Sequence, residues 1–320
     1  MKRRAFIKNG MLATGAAMTL GLEACSTSEI KATPYGLGLF SIPKMLDTDI
    51  RAGFKMLAEM GYKEVELYGP FPFSVQSVKD SWAAVTPQLG FSGSGFFGND
   101  VKTFASTLKE FGLKATSTHA DIETLQTRMP QMAEAAHELG MECVGIPSIP
   151  PELRTSLDDY KRMADVFNEV GANAKKEGLK FIYHNHGYGL HEMESEIPVN
   201  LILENTDPDT VFLEMDIFWT VAGGADPVDY LKNNPGRYVA MHLKDMKEKK
   251  QFSGDGGDPS QWIELFPYMT TAGDGVLDLK SIVSEGAKNG VKHFFIEQDM
   301  VANPEVALKR SIDHLKAIHP

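Results

Sequence analysis

The chain is poor in cysteine: among 320 residues only Cys25 and Cys143 occur. Two cysteines cannot build a disulfide framework or a four-thiolate zinc site. Positive charge is also scarce, with 32 Lys and Arg against 43 Asp and Glu and a formal charge of -11. An acidic body argues against nucleic acid as a partner. No low-complexity tract interrupts the sequence, and no Gly-x-Gly-x-x-Gly turn follows the first apolar segment, which disfavours a doubly wound dinucleotide-binding sheet. An arginine-rich or glycine-rich phosphate cradle is missing too.

The N-terminus departs from the rest. Lys2-Arg3-Arg4-Ala5-Phe6-Ile7-Lys8 precedes a weakly apolar stretch, Met11 to Leu22. That stretch is shorter than the ~20 residues of a membrane-spanning helix. It resembles a twin-arginine export signal. Leu22-Glu23-Ala24-Cys25 resembles a lipoprotein cleavage site, with Cys25 as the acylated residue and a means of membrane attachment. The expected division is a signal over 1–25, a linker over 26–34 and one domain over 35–320. Export implies a periplasmic or outer-surface location. The first 24 residues hold four basic side chains and one acidic, so removing their +3 from -11 leaves -14. With Cys25 lipidated or removed, Cys143 has no partner and reads as a small buried residue.

What the chain does have is repetition of one pattern. Phe181-Ile182-Tyr183-His184-Asn185-His186-Gly187 begins apolar and ends in two histidines. Strand alternation would point His184 and His186 to one side. Further strand-like runs carry such residues at or near their ends: 113–119 His119, 211–219 Glu214 and Asp216, 238–245 His242 and Lys244, and 293–299 Glu297 and Asp299. Glu66 ends 63–68. Eight apolar strands alternate with helices, which predicts a parallel sheet closed as a single (β/α)8 barrel. A helix ending at Met60 is predicted to be capped by Asp47 or Thr48. Residues 69–99, rich in aromatics, glycine and proline, read as a long functional loop.

In such barrels the active site lies where the strands end. Imidazoles and carboxylates from several strands would meet there, and unpaired buried charges are costly. Mixed nitrogen and oxygen donors suit manganese, zinc, cobalt or iron better than calcium. His119 is expected to face substrate hydroxyls, Lys244 to neutralise an oxyanion, and Trp219 with the aromatic loop to stack on a sugar ring. Glu66 joins this substrate-binding set. Residues 259–268, with Trp262, read as a lid or rim helix.

The phrases YHNHG at 183–187, EMDIFW at 214–219, MHLKD at 241–245 and IEQD at 296–299 resemble the xylose-isomerase-like barrel superfamily, the sugar phosphate isomerase/epimerase family. The resemblance implies a divalent metal, manganese first, held by Asp216, His242 and Glu297. His184 stands where the family has a glutamate. It is the first choice as fourth ligand, with His186 or Glu214 as substitutes. Glu297 and His186 are the expected proton-moving residues. The implied activity is isomerisation or epimerisation of a carbohydrate through a metal-stabilised enediolate, with a lyase or hydratase of 3-keto-glycosides as the alternative. Because phosphorylated sugars are chiefly cytoplasmic, an exported enzyme points to a free sugar. A phosphodiesterase is disfavoured by charge, and a non-catalytic sugar-binding lipoprotein remains a competing class. Barrels of this kind often self-associate.

Overall fold

A computed structural model describes residues 34–319. The signal, the lipidation site at Cys25 and most of the linker lie outside the described residues. The strands are β1 (Tyr35–Gly38), β2 (Glu64–Tyr68), β3 (Lys114–His119), β4 (Cys143–Ile146), β5 (Lys180–His184), β6 (Val211–Asp216), β7 (Tyr238–Leu243), β8 (Asp245–Met246), β9 (Met269–Thr270) and β10 (His293–Ile296). Eight of them close a parallel barrel in sequence order, β10 pairing back to β1. β8 and β9 form a separate antiparallel ribbon. The predicted (β/α)8 barrel is the fold.

Strand sequences explain the closure. β7 is buried along its whole length and β5 along all but its first residue, as strands covered on both faces must be. Helices pack outside, and their caps are local. Asp49 Oδ1 accepts from Ala52 N at 3.0 Å to open Ile50–Met60, and Gly61 ends it at φ +95°. The cap is therefore Asp49, not Asp47 or Thr48. Those two end a separate short helix, Pro43–Thr48. Residues 69–99 are not all loop either, since Gln76–Leu89 is a helix. It buries no side chain fully and carries Pro87 inside, so it lacks the apolar stripe that would announce it. Cys143 is free and fully buried, and burial pushes its thiol up to about 12.

Register sets which polar residues meet at the C-terminal end. His184 pairs with Glu214 across β5–β6, and Asp216 with His242 across β6–β7. The ladder slips by one between Val65 and Glu66 and again between Leu213 and Glu214. Such irregularities re-aim side chains beside active sites, and here each adjoins a floor glutamate.

The opposite end is closed by a buried ion pair. His293 Nδ1 lies 2.9 Å from Glu64 Oε2, which also accepts from Thr116 Oγ1 at 3.2 Å. Burial alone would lower the His293 pKa, but Glu64 and Glu142 outweigh it and raise it above 6.5. The resulting stabilisation is complete below the unfolded value and fades as pH rises through the folded one. His293→Gln is expected to cost about 1.5–3 kcal/mol at pH 6. Urea titrations should show that gap shrinking steadily towards pH 9. A gap independent of pH would contradict the assignment.

Candidate active site

Nine ionisable side chains from six strands or their ends converge on one floor: Glu66, His119, His184, Glu214, Asp216, His242, Lys244, Glu297 and Asp299. All but Asp299 are buried, and Asp299 keeps only 11 % of its side chain exposed. Above the floor lies a cavity of about 920 Å³. Trp219, Trp262, Tyr68 and Trp82 line it. Trp262 and Phe266 come from the 259–268 segment, which is a rim element as expected. Trp219 stacks on Phe252 at 5.8 Å and 5°, so one face of its ring is already covered.

The floor divides into two overlapping groups of donors. His119, His184, Glu214 and His242 bring one ligand atom each within 4.8 Å of the others. Asp216, His242 and Glu297 form the second group under the same limit. His184 belongs to the first group, although its Nε2 lies 3.8 Å from Asp216 Oδ2. Glu214 Oε2 takes His119 Nε2 at 2.7 Å and His184 Nδ1 at 3.0 Å. His242 reaches Glu297 Oε2 through Nδ1 at 2.7 Å and Glu66 through Nε2. Lys244 Nζ stands 2.7 Å from Glu297 Oε2, 2.9 Å from Asp216 Oδ2 and 3.3 Å from Asp299.

Electrostatics follow from that crowding. Burial opposes charge on His242, yet Glu214, Glu297 and Glu66 raise its pKa well above the ordinary value. His119 is raised in the same way by Glu66 and Glu214. Burial, with His242 and His186 nearby, drives His184 well down, so it is a neutral ring. Burial raises Glu214, reinforced by the like charge of Glu66. Burial also lifts Asp299 to about 6, against the pull of Lys244.

Five carboxylates share this buried floor with the Lys244 ammonium and with the imidazoles of His119 and His242, whose pKa values they raise. Glu66 Oε1, Glu214 Oε1 and Asp216 Oδ2 are buried without a hydrogen-bond partner, the last ion-paired to Lys244 at 2.9 Å. Native proteins seldom leave such atoms unmatched. The imidazole–carboxylate donors and these bare oxygens fit a divalent metal of the nitrogen- and oxygen-binding kind.

His186 is distinct from the others. β5 ends at His184, so strand alternation does not orient it. It lines the same cavity, with its ring 4.8 Å from that of His184. Burial holds its pKa down to about 3, with Lys244 the next contributor. Nδ1 donates to the Pro147 carbonyl at 2.6 Å. A carbonyl only accepts, so Nδ1 carries the hydrogen and Nε2 keeps its lone pair. Trp262 stacks on the ring at 5.1 Å and 20°. A main-chain carbonyl leaves no mark in a sequence, so this tautomer lock was invisible there.

The turn after His186 is tight. Gly187 has φ +85°, and a methyl group there would stand 2.3 Å from the Trp219 carbonyl oxygen. Gly187→Ala is expected to cost about 1–3 kcal/mol through left-handed backbone strain and to displace His186. Thermal melts and turnover should fall together. An unchanged melting temperature would contradict this.

The expected ligands and substrate contacts thus meet in one place, Trp219 forming wall rather than floor. Asp274 does not reach it, pairing instead with Arg310. Asp245 is also structural, its carboxylate accepting from the main chain of Gly273, Gly275 and Leu277.

Comparison with known proteins agrees with the geometry. The inosose dehydratase of Clostridium perfringens (strain 13 / Type A) is 25% identical over 261 residues, covering 79% of this chain and 84% of that one. The inosose dehydratase of Clostridium tetani is 32% identical over 160 residues, covering 48% and 52%. Among solved structures, a sugar phosphate isomerase/epimerase from Parabacteroides distasonis superposes with a TM-score of 0.69 at 23% identity, covering 91% of this chain and 96% of that one. A protein named IolI, crystallised with a zinc atom, gives 0.60 at 14% identity, covering 89% and 96%. The last two likenesses speak to fold alone. The family model for the xylose isomerase-like TIM barrel matches residues 54–318, and the chain belongs to that family.

Proposed function

We propose that this chain removes the proton beside the carbonyl of a non-phosphorylated keto-sugar or keto-cyclitol and completes the reaction by expelling a β-hydroxyl as water. The observation that carries this reading is His186: one neutral imidazole, tautomer fixed by Pro147, with Nε2 left to a cavity whose floor is charged. Burial makes this imidazole a weak base, so the carbonyl must be strongly polarised for Nε2 to take the proton as the C–H bond breaks and the electron pair moves into an enolate. The imidazolium then gives that proton to the departing hydroxyl as the C–O bond breaks. Glu297 is less suited to start the reaction, because one of its oxygens is held by both His242 and Lys244.

A divalent ion on the histidine–carboxylate floor would draw charge from the carbonyl and the adjacent hydroxyl, lowering the barrier to proton removal. Lys244 keeps the surrounding carboxylates neutralised, and Trp262 holds the His186 ring. The named activity of the inosose dehydratases supports the elimination outcome. Isomerisation is the second reading, since one base can also return the proton to a neighbouring carbon on the same face. Epimerisation would need a second proton donor on the opposite face.

The absence of phosphate from the substrate is supported by the lining. Lys244 is the one Lys or Arg among the described residues around the cavity, and three carboxylates already occupy it. The twin-arginine-like start supports the same reading, because it would carry the enzyme to a periplasmic or outer-surface site where free sugars are found.

The test is incubation of manganese-loaded protein in deuterated water with an inosose and with a 3-keto-glucoside. Loss of one water from the inosose is expected, and loss of the glycosidic alcohol from the 3-keto-glucoside, whose β-carbon carries the glycosidic oxygen in place of a hydroxyl, each with deuterium entering the product beside a carbonyl. Exchange without either loss would favour isomerisation. Sugar binding that survives chelation, with neither exchange nor turnover, would make the chain a binding protein and end the proposal.

A further inference from the structure

The floor offers two places for a cation, and a lysine ammonium already stands in one of them. Within the Asp216–His242–Glu297 group, Lys244 Nζ lies 2.9 Å from Asp216 Oδ2 and 2.7 Å from Glu297 Oε2. Asp216 Oδ1 is also committed, accepting from the main-chain nitrogens of Phe218 at 2.9 Å and Trp219 at 3.1 Å as the cap of helix Ile217–Ala222. The carboxylate pair of that group therefore already shares a cation, the lysine's own. A divalent ion placed beside it would meet a like charge among buried side chains, where charges are weakly screened.

The neighbouring group has no such occupant. His119, His184, Glu214 and His242 come from β3, β5, β6 and β7, and each is buried. No lysine or arginine pairs with them among the described residues. Two carboxylate oxygens there, Glu214 Oε1 and Glu66 Oε1, are fully buried without a hydrogen bond; Asp216 Oδ2 of the other group lacks one too, but has the Lys244 ammonium 2.9 Å away. Glu66 Oε1 itself lies 3.6 Å from His119 Nε2. His184 at the end of β5 has the Glu214 carboxylate of the adjacent strand 3.0 Å from its Nδ1.

We propose that the metal of this protein sits in the His119–His184–Glu214–His242 group, with Glu66 as a further oxygen donor. It is thereby displaced round the barrel from the Asp216–His242–Glu297 group, whose cation is the Lys244 ammonium. The donor set is then three imidazoles and one or two carboxylates. Those ligands suit zinc, cobalt or iron at least as well as manganese. The inference does not depend on which sugar is turned over, so it can fail while the proposed reaction stands.

Cobalt(II) and zinc(II), each added alone to the metal-free full-length protein, provide the test. One equivalent of cobalt should bind. His119→Gln and Glu214→Gln should lose at least a hundredfold in affinity, whereas Asp216→Asn and Glu297→Gln should stay within about threefold, a spread set by two decades of binding constant. X-ray absorption of the zinc-loaded wild type gives a reading that needs no variant to fold. Three imidazole ligands are expected, against one or two for the other group. Loss of cobalt on Asp216→Asn and Glu297→Gln with retention on His119→Gln, an imidazole count below three, or no metal uptake would each overturn the assignment.

Discussion

Replacing Lys244 by methionine should cost about 3–5 kcal/mol of folding stability, the usual penalty for removing one partner from a buried charge pair. The ammonium is 2 % exposed and lies within 3.3 Å of oxygens from Asp216, Glu297 and Asp299. Methionine keeps most of the length and removes the charge, so the loss is electrostatic rather than a cavity. Two consequences separate this account from simple misfit. Lowering pH should narrow the gap, because the abandoned carboxyls gain protons more readily than the unfolded chain does. Asp299 already stands near 6 with the lysine present. Millimolar manganese or cobalt should also raise the variant's melting point more than that of the wild type, since the vacated place between Asp216 and Glu297 becomes open to a divalent ion. Urea titrations at pH 5.5 and 8, with and without metal, decide the matter. A loss below about 1 kcal/mol, or one indifferent to both pH and metal, would refute the role given to this side chain.

How far the sequence carried is clearest at the strand ends. The phrases ending in His184, Asp216, His242 and Glu297 are apolar runs that stop in polar residues, and eight alternating units leave few folds to choose from. The convergence of those residues was therefore readable. Their partition was not. Whether His184 turns towards Glu214 or Asp216 depends on register and on slips at Glu66 and Glu214, features set by pairing partners far away in the chain. Strand spacing suggested that His184 and His186 share a side. They do line one cavity, but His186 reaches it from beyond the strand, pulled by the Pro147 carbonyl. The helix over Gln76–Leu89 escaped notice for a different reason. Its residues are at least partly exposed, so no periodic apolar stripe distinguishes it from a loop. Local chemistry was legible where the side chain itself is buried, while the cap of Ile50–Met60 fell on Asp49 because Asp47 and Thr48 close a short helix of their own. It was lost wherever a main-chain group or a distant strand made the choice.

His186→Gln gives the other large effect. General-base contributions run to about 10²–10⁴-fold, and turnover is expected to fall by that factor while KM changes only a few-fold. The reason is positional. The imidazole is held by one hydrogen bond to Pro147 and by the Trp262 face, and it belongs to neither donor group on the floor. Glutamine can keep a hydrogen bond to the carbonyl, but its amide has no lone pair basic enough to accept a proton from carbon. Metal uptake should therefore be retained, and solvent-deuterium exchange beside the carbonyl should disappear in parallel with product formation. Added imidazole should restore part of both, since the cavity of about 920 Å³ leaves room for it beside a small sugar. His119→Gln makes the matched control: it should lose metal and activity together, with no recovery from imidazole. Should His186→Gln keep turnover within tenfold of wild type, or lose its metal, proton removal would have to be reassigned to Glu297.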